Sequence, residues 1–314
     1  MTATLFTYMK QVQRLLRDTR QELIDPGDII DCVNRARREV AMRSQCVRVL
    51  PPISGSVVSI PLPPALTNGQ YWTSPAVTIT PPDFPSGYGA HPSGAQATAI
   101  ATAISGSTTL QEIAVTFGGS GYFQPIVTVS DPTGVSVNVT PKVSPINATA
   151  QGQEVYPFSA VDLSTFSGVD SIIAVKSVSI IYANYRYSLP QYGFSVYQAR
   201  VRQYPFQYQY VPTFCSQFGQ GANGSLYMYP LPTQAYQMEW DCFCLPSDLT
   251  SDESPEVIPD PWTDVVPHYA IYLAYLELQS FNNAKVHLDL FTDFMHRYRA
   301  AVSPGRAVNP YGRW

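Results

Sequence analysis

Pro261-Trp262-Thr263-Asp264-Val265-Val266-Pro267-His268-Tyr269-Ala270-Ile271-Tyr272-Leu273-Ala274-Tyr275-Leu276-Glu277-Leu278 is the stretch that decides how this chain folds. Tyr269, Ile271, Tyr272, Leu273, Tyr275, Leu276 and Leu278 follow one another too closely for a helix with a wet face, so a helix here must be buried on most sides. It needs partners, and both chain ends offer them. After Ser280-Phe281-Asn282-Asn283, an amphipathic run places Val286, Leu290, Phe294 and Tyr298 on one stripe, leaving Lys285, Asp289, Asp293 and Arg297 outside. At the other terminus Leu5, Tyr8, Met9, Val12, Leu15 and Leu16 recur at helical spacing. Asp25-Pro26-Gly27-Asp28 then starts a second helix, with Asp25 as its cap and Pro26 in its first turn. That helix buries Ile29, Ile30, Val33, Ala36, Val40 and Ala41, and Pro51-Pro52 stops it a few residues earlier. The expectation is a four-helix bundle built from residues 1–50 and 251–302.

Between the ends the pattern changes to period two. Residues 177–187, 225–229 and 236–244 are β-branched or aromatic runs punctuated by Pro, Gly and Asn, and they read as strands. Pro230-Leu231-Pro232-Thr233-Gln234-Ala235 suits an irregular hairpin loop between the last two. A weak repeat lies inside this region: Tyr71-Trp72 and Tyr122-Phe123 each precede a Pro-x-Val-Thr, at Pro75 and Pro125, and a Gly-led alternating strand follows each copy. The fold class expected is therefore α+β. Helices from both ends frame a central β region (51–70 and 144–250), which carries an inserted β-sandwich-like module (71–143), and residues 303–314 form an extended C-terminal arm.

Composition sharpens the division. Only 13% of the 314 residues are charged, about half the usual share of roughly 25%. The ends are ordinary, with 15 charges in residues 1–50 and 13 in 251–314, whereas the 200 residues between them hold 14. The net charge of −4 supplies no overall basic field for nucleic acid. No stretch approaches the ~18 apolar residues of a membrane span, and no apolar segment of the secretory type opens the chain, so a soluble chain made in the cytoplasm is expected. The five cysteines, odd in number and irregularly spaced, read as reduced, mostly buried thiols.

Gly219-Gln220-Gly221-Ala222-Asn223-Gly224 has dinucleotide-fingerprint spacing, but a strand follows where a helix is required, so it reads as a Gly-rich β turn. No lysine follows a glycine, which removes the phosphate loop. His287 and His296 lie nine residues apart and face opposite sides of a helix. Cys242 and Cys244 share a strand face without a second ligand pair, so core packing is the better account than zinc. Asp252, Glu253, Glu256, Asp260 and Asp264 read as a solvated linker with helix-start charge. No catalytic, cofactor or metal residue is assigned. Arg35, Arg37, Arg38 and Arg43 form the basic cluster, but Asp31 and Glu39 interrupt it, so a bundle surface, a subunit interface or a channel wall suits it better than DNA contact.

The ordered set of these residues resembles the head-to-tail connector (adaptor) proteins of short-tailed bacteriophages. Tyr8 to Asp18 and Ile29 to Ala41 look like their paired N-terminal helices. Leu226-Tyr227-Met228-Tyr229-Pro230-Leu231-Pro232, Trp240-Asp241-Cys242, Pro255-Glu256-Val257-Ile258-Pro259 and the stretch quoted first resemble their β hairpin, acidic linker and apolar helix, in order. The resemblance spans about residues 5–60 and 175–300, and residues 71–143 depart from it. It implies a structural, non-catalytic virion protein at the head–tail junction, without cofactors. Such a protein forms a dodecameric ring beneath the portal protein, extends the DNA channel and gives the tail nozzle or tail tube, and tail fibres, a docking surface. Genomic DNA would pass through without sequence-specific binding, and no membrane is involved. The arm would reach the portal through Arg306, Tyr311, Arg313 and Trp314, residue types favoured at hot spots. Two other readings stay open: a DNA-binding module working through helix two, and a glycan-binding or glycan-cleaving virion protein with Tyr71, Trp72, Tyr88, Tyr122 and Phe123 as sugar platforms.

Overall fold

A computed structural model describes residues 3–17, 23–67, 69–83, 94–104, 106–182, 185–203 and 209–302. The protein is mixed α+β, with several small antiparallel sheets. Its helices are α1 (Leu5–Leu16), α2 (Pro26–Ser44), α3 (Phe194–Arg202), α4 (Val266–Glu277) and α5 (Phe281–Val302). The strands run β1 (Arg48–Val49), β2 (Val57–Ser59), β3 (Ala76–Ile79), β4 (Thr98–Ala103), β5 (Leu110–Phe117), β6 (Val127–Ser130) and β7 (Ser136–Val139). They continue with β8 (Lys142–Val143), β9 (Val155–Pro157), β10 (Val169–Tyr182), β11 (Tyr185–Leu189), β12 (Phe214–Phe218), β13 (Ser225–Tyr229) and β14 (Gln237–Pro246).

Local chemistry sets the helix ends. The Thr4 hydroxyl accepts from the Thr7 N–H at 3.3 Å, and the Asp25 carboxylate accepts from the Gly27 N–H at 2.7 Å with Pro26 at the first helical position. α2 stops at Gln45, whose left-handed backbone (φ 56°) returns its N–H to the Ala41 carbonyl, well ahead of Pro51. α4 buries Val266, Pro267, Ala270, Ile271 and Ala274, and α1, α2 and α5 all pack against it. The terminal helices thus form a layer centred on α4. A closed four-helix bundle is not shown, and α3, a fifth helix absent from the sequence reading, packs on β12. The buried stripe of α5 also differs from expectation. Ala284, Phe291 and Met295 are buried, with Leu288, Phe294 and Tyr298 half-buried, whereas Val286 and Leu290 are exposed. The buried face is rotated from the expected stripe toward Ala284, Leu288, Phe291 and Met295, with Phe294 and Tyr298 at its margin.

One sheet has the strand order β1-β14-β10-β11 and a second the order β12-β13-β9. The run 177–187, read as one strand, is a hairpin: β10 ends at Tyr182 and β11 begins at Tyr185 opposite it. β13 and β14, read as a hairpin, lie in different sheets. Leu226 and Met228 on one strand and Met238 and Trp240 on the other are fully buried in one core, so the strands face each other across it. Three bulges twist β10 along β14, letting it span that core.

The inserted segment has a core of its own, built on Trp72, Ile79, Leu110, Tyr122, Val127 and Val129 and reaching back to Val57 and Ile60. β2 pairs antiparallel with β8, so the chain enters and leaves this module by adjacent strands. Sheets β3-β6-β7 and β4-β5 enclose the core.

Candidate functional site

The arginines of α2 are the strongest sequence candidates, and the structure separates them. Arg37 is 0% exposed. Its Nε and Nη2 donate to both oxygens of Glu256 at 2.9 Å, and Nη1 donates to the Ser247 carbonyl at 2.6 Å. Asn34, one turn earlier, accepts from the Leu249 N–H at 2.9 Å and donates to the Leu249 carbonyl at 3.2 Å. α2 is thereby bolted to the segment after β14. Arg37 is therefore unavailable as an interface or channel residue, and Glu256 is no solvated linker charge. Arg38 donates twice to Asp248 at 2.8 Å, and Arg43 pairs with Glu39 while lying 5.2 Å from the Phe291 ring centroid. Both are exposed. Among the described residues Arg35 alone of the four is exposed without an acidic partner. A one-signed face for phosphate is not formed. Asp252 accepts from the Phe6 N–H at 2.6 Å, so the acidic segment also holds the first turn of α1.

Trp72 and Tyr122 are corrected in the same way. Each is 0% exposed and forms the centre of the inserted module, so neither is a surface platform for a sugar. Tyr71 is exposed, Phe123 half-buried, and Tyr88 lies outside the described residues. The structure also re-registers the repeat. Trp72 and Tyr122 occupy equivalent places, each an isolated bridge followed by two bend residues and then Pro75 or Pro125 one residue later. β3 pairs with β6 so that Thr78 faces Thr128, the residue equivalent to it, which is the register a local two-fold axis requires.

The caps of the two copies are exchanged. Asp131, after β6, accepts from the Thr73 and Ser74 N–H groups at 2.8 Å and from the Thr73 hydroxyl at 2.7 Å. Asp83, after β3, accepts from the Phe123 and Gln124 N–H groups at 2.5 and 3.2 Å. Each carboxylate thus closes the bend of the other copy. Partial burial raises the Asp131 carboxyl, but the Thr73 hydroxyl and the N–H groups of Thr73, Thr133 and Ser74 outweigh it and hold it well below the usual carboxylate range. A depressed folded pKa contributes stability that is complete above the unfolded value, about 4, and is lost as pH falls below it. The module is therefore expected to loosen in acid, and Asp131→Asn to remove most of that acid dependence, as read by the denaturation midpoint from about pH 5 down to about pH 2.

The four-stranded sheet leaves the surface features that sequence reasoning missed. β11 is its edge, and Tyr185, Arg186, Tyr187 and Ser188 are all exposed, Tyr185 at 68%. The facing end of β10 adds exposed Tyr182. On the solvent face of this sheet Arg48 pairs bidentately with Asp241, Arg186 makes a single contact with Glu239 through Nε at 2.9 Å, and Lys176 and Arg48 flank the Phe243 ring. Lys176, Arg186, Glu239 and Asp241 are four of the 14 charges of the central region. A sequence signal for the edge existed in Tyr182-Ala183-Asn184-Tyr185, since Asn favours turns, but it lacks the glycine of a primed hairpin.

No catalytic constellation is assembled among the described residues. A cleft of about 250 Å³ is lined by Pro51, Pro52, Tyr156, Asp162, Met238 and Trp240, with Asp162 its one carboxylate. All five cysteines are free, and burial pushes the Cys32, Cys215 and Cys244 thiols up to about 12, which makes them inert. Among the described residues no group of three or more His, Cys, Asp or Glu could hold a metal ion. The Gly219–Gly224 segment joins antiparallel β12 and β13, with Gly219 and Gly221 at positive φ. Arg306, Tyr311, Arg313 and Trp314 lie outside the described residues. No helix among the described residues is long and apolar enough to cross a membrane.

The features above define a mixed α+β protein with an inserted, internally repeated β module and an open aromatic sheet edge. No protein-family model matches this chain, and no curated protein matches it.

Proposed function

We propose that the chain is a head-to-tail adaptor of a short-tailed bacteriophage virion, forming a ring beneath the portal protein and presenting a landing surface to the tail nozzle. The observation that carries the proposal is the edge strand β11 with the adjoining end of β10, where Tyr182, Tyr185 and Tyr187 stand exposed around Arg186. Unpaired aromatic edges are liabilities for a free monomer and are suited to burial against a neighbour. Rings close through heterologous faces, which such an edge can supply. The resemblance of the ordered sequence segments supports the same reading. In this proposal the ring is a dodecamer, the terminal helices complete a four-helix bundle, DNA passes through the channel without sequence-specific contacts, and residues 303–314 engage the portal. The burial of Trp72, Tyr122 and Arg37 removes the chief supports of the glycan and DNA readings.

Electron microscopy of the protein mixed with purified portal and nozzle proteins is expected to show a ring seated between them. A chain that stays monomeric and binds neither would overturn the proposal. Deleting residues 303–314 is expected to leave the fold intact and abolish co-sedimentation with portal rings.

A further inference from the structure

The seam between α4 and α5 is closed by a column of rings. Tyr275 of α4 lies on His287 of α5 with centroids 5.6 Å apart and planes at 21°. His287 lies 6.2 Å from His268 of α4 at 25°, and His268 lies 5.0 Å from Phe294 of α5 at 22°. Phe294 continues to Tyr298 at 5.9 Å, and Tyr298 meets Trp262 edge-on at 6.1 Å. The first four rings thus alternate between the helices, and the two inner ones of these are imidazoles. Both carry a buried Nδ1 without a hydrogen-bond partner.

We propose that this column is an acid-sensitive latch, holding α5 on α4 while both imidazoles are neutral and releasing α5 when they are protonated. A neutral imidazole stacks as an ordinary aromatic ring, whereas two imidazolium ions in one column repel and lack acceptors for their Nδ1 protons. The surrounding charges do not compensate. Asp264, in the turn before α4, favours the charged form of His268, but burial and the neighbouring His287 outweigh it and lower the pKa of His268. Burial likewise lowers that of His287. Glu39 and Arg43 of α2 are paired with each other, and the Glu277 carboxylate accepts from the Cys32 thiol. Lys285, Asp289 and Asp293 sit on the exposed side of α5, and the buried face of α1 (Leu5, Tyr8, Val12, Leu16) is uncharged. Because the folded pKa values are lowered, the stabilisation is complete above the unfolded value, about 6.5, and is lost as pH falls below it.

Amide hydrogen exchange of the full chain tests the latch. After correction for intrinsic rates, α5 is expected to exchange at least about tenfold faster at about pH 5 than at about pH 7.5, with α2 unchanged. His268→Phe combined with His287→Phe keeps two rings in the column and is expected to abolish that difference. Unchanged α5 protection in the wild type, or an equal acid response in the double variant, would overturn the proposal. Should the double variant fold poorly, nuclear magnetic resonance titration of the wild type decides instead. Both imidazoles are expected to titrate together with the loss of α5 protection, and titration without that loss would overturn the latch.

Discussion

Glu256→Gln is expected to destabilise the core shared by the helices and the two larger sheets by about 3–5 kcal/mol. Glutamine preserves the volume and one acceptor of Glu256 but turns the other oxygen into a donor facing Arg37, so the loss reports the charge together with one hydrogen bond. Arg37 cannot shed its proton, and with its side chain 1% exposed it cannot turn to water. The Ser247 carbonyl and Asn34 would remain as its partners, neither of them anionic. Urea denaturation should show a lower midpoint with an unchanged slope. Combining Glu256→Gln with Arg37→Met removes the stranded charge and should recover much of the loss, because buried pairs are costly to break but often replaceable by apolar groups. A single-variant loss below about 1 kcal/mol would show that the pair is not desolvated as the structure has it.

Trp72→Ala is expected to cost the inserted module about 3–5 kcal/mol, enough to unfold it while the helix–sheet core stays intact. The indole is 0% exposed in a small core, so its truncation leaves a cavity among the other members of that cluster. Hydrogen exchange should show residues 57–143 losing protection and α2, α4 and β14 keeping it. The exposed Tyr71→Ala is the control, expected within about 0.5 kcal/mol of wild type. Retained module protection in Trp72→Ala would mean that Trp72 is not the centre of that core.

The parts legible in the sequence were those decided within a few residues of themselves. Asp25-Pro26 marked the start of α2 because a cap and its N–H partner lie two residues apart. The continuous apolar run of α4 showed that it would be enclosed on several sides. The Pro-x-Val-Thr repeat was visible, although its aromatic partner was misplaced by one residue in the first copy, since Tyr71 and Trp72 are adjacent and composition cannot tell which turns inward. α3 was missed because Phe194 to Arg202 is only weakly amphipathic and is held by ring contacts to Phe214 and Tyr227 from other strands. The hairpin at Tyr182 and Tyr185 was missed because an alternating run reads the same whether it continues or folds back.

The sequence by itself determined the class of the protein: helices at both ends, charge-poor strands between them, and a repeat set apart from both. Only the tertiary structure decided which side chains remain at the surface. Arg37 looks like its neighbours Arg35 and Arg38 until Glu256, more than two hundred residues away, is brought against it. Trp72 looks like a platform until the second copy of its own repeat closes over it. Burial and pairing are long-range properties, because desolvation depends on every group packed around an atom and those groups come from distant parts of the chain.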